Sequence, residues 1–221
     1  KSNSVETPSR REFLKLSAGS AAAAGLGLSL TRGAHAAGDD VLKVGLIGCG
    51  GRGSGAAVNA LNADPGARLV AMADLFEPYV TGSRERIAKI HGDRVQVADE
   101  LCFVGLDGYK GVIEASDVVL IACASKFHPQ YLKEAVEAGK HVFIEKPHAI
   151  DPPGIKVATA AYQAAEKKGL SVVSGLCWRY HTGVQETMKR VLDGAIGDVV
   201  TVQENYLRTP YRLVERQPEW S

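Results

Sequence analysis

The sequence lacks the charge imbalance that marks a nucleic-acid-binding protein. Its 26 Lys and Arg residues are balanced by 25 Asp and Glu residues, which leaves a formal charge of +1, and the two signs are interspersed. Such a surface offers no basic patch for nucleic acid or for an anionic membrane. The sequence also has no low-complexity tract and no sustained repeat. We therefore expect a globular protein that binds a small molecule and no nucleic acid.

Cysteine is scarce, and none of the four cysteines shares the C-x-x-C spacing of a metal site with another. Cys49, Cys123 and Cys177 lie in or beside apolar runs, and Cys102 precedes a short apolar stretch. We expect small core residues, no disulfide framework and no metal site.

The first 36 residues do not have the pattern of a folded domain. Two arginines lie in SRREFLK (residues 9–15), an uncharged segment follows over residues 16–31, and AHA (residues 34–36) supplies a small-x-small cleavage site. This order resembles a twin-arginine signal peptide, which implies the twin-arginine export machinery as a partner and a periplasmic or otherwise exported protein that folds before export. The alternatives are an uncleaved membrane anchor and an amphipathic helix with two surface arginines.

Glycines follow the first apolar run of the next segment. VLKVGLIG leads into GCGGRG, which has the G-x-G-x-x-G spacing at Gly48, Gly50 and Gly53, and a helical pattern then runs to about Asn62. A second strand pattern, ARLVAMAD, ends on Asp74. In this arrangement the glycines allow a tight turn and a close approach to a pyrophosphate, and the carboxylate accepts hydrogen bonds from a ribose. A purely structural glycine turn is the alternative, but the order of strand, triplet, helix, strand and Asp favours dinucleotide binding.

The acidic residue at the end of the second strand favours NAD over NADP. The negative charge of Asp74 would repel a 2′-phosphate. Arg84 and Arg86 lie on the next predicted helix, where we expect them to face solvent, so NADP is less favoured. Gly51 and Arg52, inside the glycine loop, are further expected cofactor contacts.

Strand and helix patterns alternate along the rest of the chain, which predicts a doubly wound parallel sheet of the Rossmann type. Ligands of such sheets bind at the carboxyl ends of the strands, so the glycine loop, Asp74, SKFH (residues 125–128) and EKP (residues 145–147) should converge. The later strands are predicted at RVQV (residues 94–97), DVVLIACA (117–124), HVFIEKP (141–147) and LSVVSGLCW (170–178).

Four motifs carry a family resemblance. GLIGCGGRG, VVLIACASKFH, EAGKHVFIEKP and WRYH resemble the Gfo/Idh/MocA family of glucose–fructose oxidoreductases and inositol dehydrogenases, over about residues 41–207. The resemblance implies a Rossmann domain followed by a second α/β domain with a large open sheet. It also implies hydride transfer between a nicotinamide and a sugar or polyol carbon, and a homo-oligomer.

The resemblance assigns roles to three residues at the strand ends. Lys146 would lie beside the nicotinamide and contact the reacting hydroxyl, where an ammonium stabilises negative charge or relays a proton. Glu145 would seat the nicotinamide ribose, and His128 would lie near the cofactor. The alternatives are a solvated charge pair for Glu145 and Lys146 and a helix cap for His128.

Further contacts are implied near the end of the sixth predicted strand. Arg179, Tyr180 and His181 are expected substrate contacts, while Trp178 serves equally well as a packing residue. His148 lies near the expected mouth of the site, where a surface or packing role is favoured.

The chain departs from the family pattern in two ways. Cys123 and Ala124 replace a Thr-Pro pair, and the Asp and His that the family carries on its second domain have no counterpart. We expect a signal peptide (residues 1–36), an NAD-binding Rossmann domain (37–176) and the beginning of a substrate and oligomerisation domain (177–221), whose first strand is GDVVTVQENYLR (197–208). The chain is thus expected to be part of a longer enzyme and inactive by itself.

Three hypotheses about function follow. The first is an exported NAD-dependent oxidoreductase that retains its nicotinamide and acts on a sugar or polyol hydroxyl. The second is an NAD-dependent glycoside hydrolase of the same family, in which the hydride is borrowed and returned. The third is a non-catalytic nucleotide-binding fragment.

Overall fold

The computed structural model describes residues 41–207, 209, 215 and 216. The predicted signal peptide lies outside the described residues. Contacts divide the described chain into two compact units, which meet in sequence between Gly175 and Leu176. Among the described residues, no helix is both long and apolar enough to cross a membrane.

The first unit is built on a sheet of six parallel strands in the order β3-β2-β1-β4-β5-β6. This is the strand order of a doubly wound dinucleotide-binding fold, and it confirms the predicted fold class. The strands are β1 (Leu42–Ile47), β2 (Ala67–Asp74), β3 (Cys102–Val104), β4 (Val118–Ile121), β5 (His141–Ile144) and β6 (Val172–Ser174).

Five helices cover the two faces of this sheet. They are α1 (Gly51–Ala63), α2 (Glu77–His91), α3 (Gly108–Ala115), α4 (His128–Glu137) and α5 (Pro152–Lys167). Buried residues of α1 and α2 belong to one apolar cluster, and those of α3, α4 and α5 to the other. Because strand side chains alternate between faces, the sheet separates two cores and leaves its carboxyl edge to the connecting loops.

The predicted strand at residues 94–97 is wrong. Val95 makes only an isolated bridge to Leu69, and the strand beside β2 is β3, seven residues further along. Val97 is nevertheless buried. The alternating apolar residues of this segment therefore pack into the core without a hydrogen-bonded ladder.

The second unit differs from the predicted extension in two places. Cys177–Tyr180 forms a 3₁₀ turn rather than the end of the sixth strand, which stops at Ser174. Residues 197–207 have strand-like alternation but form no strand, because a strand is defined by hydrogen bonds to a neighbour and none pairs with this described segment. The helix of this unit is α6 (Thr182–Leu192).

Candidate cofactor site

The glycine loop between β1 and α1 is shaped by two glycines that cannot carry a side chain. Gly48 has a φ of +94°, and a Cβ there would lie 2.5 Å from the backbone nitrogen of Cys123. A Cβ on Gly53 would overlap the carbonyl oxygen of Gly48. By contrast, a Cβ on Gly50 or Gly51 would meet no atom within 4 Å. Gly48 and Gly53 thus allow close packing within the protein, while Gly50 and Gly51 leave an open surface at the start of α1.

Asp74 is fixed to the glycine loop by its own carboxylate. Its Oδ2 accepts a hydrogen bond from the backbone N–H of Cys49 at 2.7 Å, and its Oδ1 accepts one from Phe76 at 3.1 Å. The carboxylate is half-buried at the carboxyl end of β2. Each oxygen keeps a second lone pair, so the group can still accept bonds from two hydroxyls.

A cavity of about 230 Å³ opens between the loops that follow β1, β2, β3 and β4. Its walls are mostly apolar, and the rings of Phe127, Tyr131 and Tyr109 stack in succession along one side. This is the shape and chemistry of a site for a flat, largely apolar group with a few polar ends. The lining residues that the sequence reasoning did not identify include Leu75, Phe76, Tyr79, Leu106 and the three stacked rings.

Glu145 lies on the opposite side of the glycine loop, at the end of β5, and only 7% of it is exposed. Arg52 donates to Glu145 Oε1 from Nε at 2.6 Å and from a terminal nitrogen at 2.5 Å. From the described part of the chain, the other oxygen, Oε2, accepts only a long bond of 3.3 Å, from the backbone N–H of Lys146. A Cβ on Gly175 would lie 2.6 Å from Oε1, so the glycine that follows β6 makes room for the carboxylate. The sequence predicts Arg52 and Glu145 as separate cofactor contacts, and it indicates neither their contact with each other nor the part that Gly175 plays.

Lys146 is exposed at the carboxyl edge of the sheet and precedes a cis peptide bond to Pro147. His128 is almost completely buried and contacts this loop through the carbonyl oxygen of Pro147. Its Nδ1 lies 2.8 Å from the carbonyl oxygen of Pro147, and its Nε2 lies 3.0 Å from that of Cys123. Both ring nitrogens therefore have protein partners, and His128 joins the loop after β4 to the loop after β5.

His148 also lies within the protein framework of this edge. Its Nε2 is 2.8 Å from Ser174 Oγ, and its Nδ1 is 2.9 Å from the hydroxyl of Tyr162. Burial, followed by the nearby His128, lowers the pKa of His148, and burial raises the pKa of Tyr162 to about 12. Both pKa shifts favour the neutral forms, which suits a packing role for His148.

The four cysteines are free thiols. Burial, reinforced by the charge of Asp74, raises the pKa of Cys49 well above its ordinary value, and burial raises the pKa of Cys123 to about 12. Cys177 is exposed, so the expectation of a core position is wrong for it. Within the part of the chain that the structure describes, no three His, Cys, Asp or Glu side chains are grouped to hold a metal ion.

The predicted substrate residues lie in the second unit, where their described contacts are local. The side chain of His181 caps α6 by accepting a long bond from Val184 N–H at 3.4 Å. The carbonyl oxygen of Arg179 accepts from the side chain of Gln185 at 2.7 Å. Tyr180 and Trp178 are exposed. Substrate contact by Arg179, Tyr180 and His181 stays a prediction.

The region that contains these loops matches a known protein family. The sequence model of the Gfo/Idh/MocA group, described as an oxidoreductase family with an NAD-binding Rossmann fold, matches residues 42–176. The chain belongs to this family. A model of the twin-arginine translocation signal matches residues 7–27, which marks this family member for export.

Relatives of this family member include enzymes of two kinds. It is 36% identical over 114 residues to glycosyl hydrolase family 109 protein 1 of Bacteroides fragilis (strain YCH46), which is 50% of this chain and 23% of that protein. It is 33% identical over 159 residues to inositol 2-dehydrogenase of Ralstonia nicotianae, which is 71% of this chain and 43% of that protein. The chain thus spans less than half the length of these curated relatives.

A solved structure supports the same family fold. The structure of scyllo-inositol dehydrogenase from Lactobacillus casei with bound NAD(H) and scyllo-inositol aligns with a TM-score of 0.58 at 25% identity. The alignment covers 72% of this chain and 43% of that one.

Proposed function

We propose that the protein is an exported, NAD-dependent oxidoreductase that transfers hydride between a tightly held nicotinamide and a hydroxyl carbon of a sugar or polyol. The observation that carries the proposal is the placement of the glycine loop, Asp74, Glu145 and Lys146 along one edge of a single sheet. Family membership and the dehydrogenases among the relatives support the reaction class. In this reading residues 1–36 are the signal peptide, 37–176 bind the cofactor, and 177–221 begin a domain that binds substrate and mediates homo-oligomerisation.

The residues present fit a dinucleotide. The open surface at Gly50 and Gly51 leaves room for a pyrophosphate at the first turn of α1, where unpaired backbone N–H groups favour an anion. The apolar cavity beside it suits the adenine ring, and the Asp74 carboxylate suits the adjacent ribose.

The same surroundings favour NAD over NADP. A 2′-phosphate would meet the negative charge of Asp74. The two arginines of α2 that could compensate have other partners, because Arg84 donates to Asp99 at 2.6 Å and Arg86 donates to Ser54 Oγ at 3.2 Å.

Lys146 is the catalytic residue in this proposal. A bound nicotinamide would accept or supply the hydride. The Lys146 ammonium, exposed at the end of β5, would hydrogen-bond the substrate oxygen and stabilise the negative charge that grows as the hydroxyl proton passes to water at this exposed edge. Glu145 would accept from the nicotinamide ribose with its freer oxygen, Oε2. His128 would act indirectly, by holding the backbone of the lysine loop.

The test is single-turnover reduction of the bound cofactor by a panel of inositols, aldoses and amino sugars. Purified protein should retain NAD through dialysis and form NADH with at least one panel member. Lys146→Ala should slow that step by about 100-fold or more while NADH binding changes little. If the protein binds NAD but no panel member reduces it, or if Lys146→Ala reduces it at the wild-type rate, a non-catalytic nucleotide-binding role would be supported instead.

A second candidate is a redox-neutral glycoside hydrolase. The observation that favours it is the 36% identity to a glycosyl hydrolase family 109 protein. The chemistry is also compatible with export, since a hydride that is removed from a sugar carbon and then returned requires no external oxidant. Release of a chromogenic aglycone that depends on bound NAD but accumulates no NADH would favour this candidate over a dehydrogenase.

A further inference from the structure

We propose that Arg52 is a positioning residue for Glu145 rather than a ligand of the cofactor pyrophosphate. The inference rests on the proposed cofactor site and adds a link between its two ends. The two side chains are 93 positions apart in sequence and come from opposite sides of the crevice, the first turn of α1 and the end of β5. Arg52 thereby ties the glycine loop to the segment that carries Lys146.

The contact geometry indicates what this link does. Both donor nitrogens of Arg52 converge on Oε1, which fixes the carboxylate by one oxygen. Among contacts with described residues, Oε2 accepts only the long bond from the backbone N–H of Lys146, so it keeps capacity to accept further hydrogen bonds. A carboxylate held in this way has one anchored oxygen and one oxygen able to accept hydrogen bonds from hydroxyl groups. The guanidinium, meanwhile, is itself held over the ring of Phe143, with 5.9 Å between its central carbon and the ring centroid.

The two members of this ion pair differ in how far they are buried. The Glu145 side chain is 9% exposed, whereas that of Arg52 is 49% exposed. A buried carboxylate without a compensating charge is costly, while an exposed guanidinium without a partner is simply hydrated. Removing Arg52 should therefore disturb Glu145 far more than removing Glu145 disturbs Arg52.

The test compares two ligands that share one end. ADP carries the adenosine and the pyrophosphate, and NADH adds the nicotinamide riboside. With Arg52→Gln, ADP affinity should stay within about twofold of wild type, while NADH affinity should fall by about tenfold, the effect of losing one charged hydrogen bond. Glu145→Gln should likewise lower NADH affinity and leave ADP affinity nearly unchanged. The double variant should lose no more NADH affinity than either single variant. Arg52→Lys should recover part of the loss.

Thermal unfolding without ligand gives an independent readout. Arg52→Gln should lower the Tm by a few degrees, because the buried Glu145 carboxylate loses its compensating charge. Adding Glu145→Gln should reverse most of that decrease, because it removes the uncompensated carboxylate. Arg68→Gln is the matched control, since the Arg68 side chain donates to the backbone carbonyls of Pro65 and Ala67, at the end of β2 away from Asp74. It should leave ADP and NADH affinity unchanged.

The outcomes separate the two proposals. Equal losses of ADP and NADH affinity in Arg52→Gln, or additive losses in the double variant, would overturn the positioning role and make Arg52 a pyrophosphate ligand. Failure of the wild-type protein to bind either nucleotide would instead refute the proposed function.

Discussion

Replacing Gly175 with Ala should displace the Glu145 carboxylate without touching either charge. The new Cβ would lie 2.6 Å from Oε1, 2.7 Å from Cδ and 2.9 Å from Oε2, so the carboxylate must retreat by about 0.8 Å to reach an ordinary contact of 3.4 Å. That movement lengthens the bonds from Arg52 and redirects Oε2. We expect NADH affinity to fall by about tenfold, and hydride transfer by up to about 100-fold, because reacting groups tolerate little misplacement.

The same substitution should cost little stability. The crowded atoms lie at the far end of a side chain and not in the backbone, and Gly175 does not have a positive φ. Alanine also restricts the unfolded chain, so the free energy of unfolding should change by less than about 1 kcal/mol, as measured by urea denaturation.

A matched glycine tests whether the effect is specific. A Cβ on Gly55, in α1, would meet only the Arg52 Nη1 atom at 3.9 Å. Gly55→Ala should raise the free energy of unfolding by up to about 1 kcal/mol and leave NADH affinity unchanged. A Gly175→Ala variant that binds NADH and transfers hydride like wild type would show that neither step depends on the position of the Glu145 carboxylate.

Three further results are expected. Asp74→Ser removes the charge that repels a 2′-phosphate, so the ratio of NADP to NAD affinity should rise by about tenfold in calorimetric titrations; an unchanged ratio would contradict the assigned ribose contact. His128→Ala removes the ring that links the carbonyls of Cys123 and Pro147, and the carbonyl that accepts the ring N–H loses its donor, so the free energy of unfolding should fall by about 1–3 kcal/mol; little change would mean that the ring only fills space. Burial raises the pKa of Cys123 and Tyr162 to about 12 from ordinary values of 9.0 and 10.0. The folded state therefore retains these protons to a higher pH than the unfolded state does, so these two groups leave stability unchanged below about pH 9 and lower it as the pH rises toward 12; urea midpoints that do not fall between about pH 9 and 12 would refute this.

The sequence was most informative where short-range patterns determine structure. β2 spans the predicted residues 67–74, and α1 ends one residue beyond the predicted Asn62, because strand alternation and the glycine turn are local properties. β3 was missed because RVQV (residues 94–97) and Cys102–Val104 are equally plausible short strands. Only pairing with β2, on the far side of α2, decides between them.

In the candidate site, too, the features set by topology were predictable and the contacts between distant residues were not. That strand ends converge follows from the topology, and the structure brings the glycine loop, Asp74, Glu145 and Lys146 to one edge. The pairing of Arg52 with Glu145 could not be read from the sequence, because nothing near either residue specifies the other. The burial of His128 was equally inaccessible, since a histidine before a proline is compatible with a cap, a ligand contact or a core position.

The position of Gly175 has a consequence for the order in which the crevice is completed during synthesis. Every residue that lines the 230 Å³ cavity lies between positions 47 and 131, so the ribosome releases that half first. The seat of the Glu145 carboxylate is finished only when β6, a three-residue edge strand, docks on β5. The adenosine side of the crevice is therefore encoded some forty residues, as an order of magnitude, before the glycine that makes room for the Glu145 carboxylate, although both sides share the core that the later helix α5 completes.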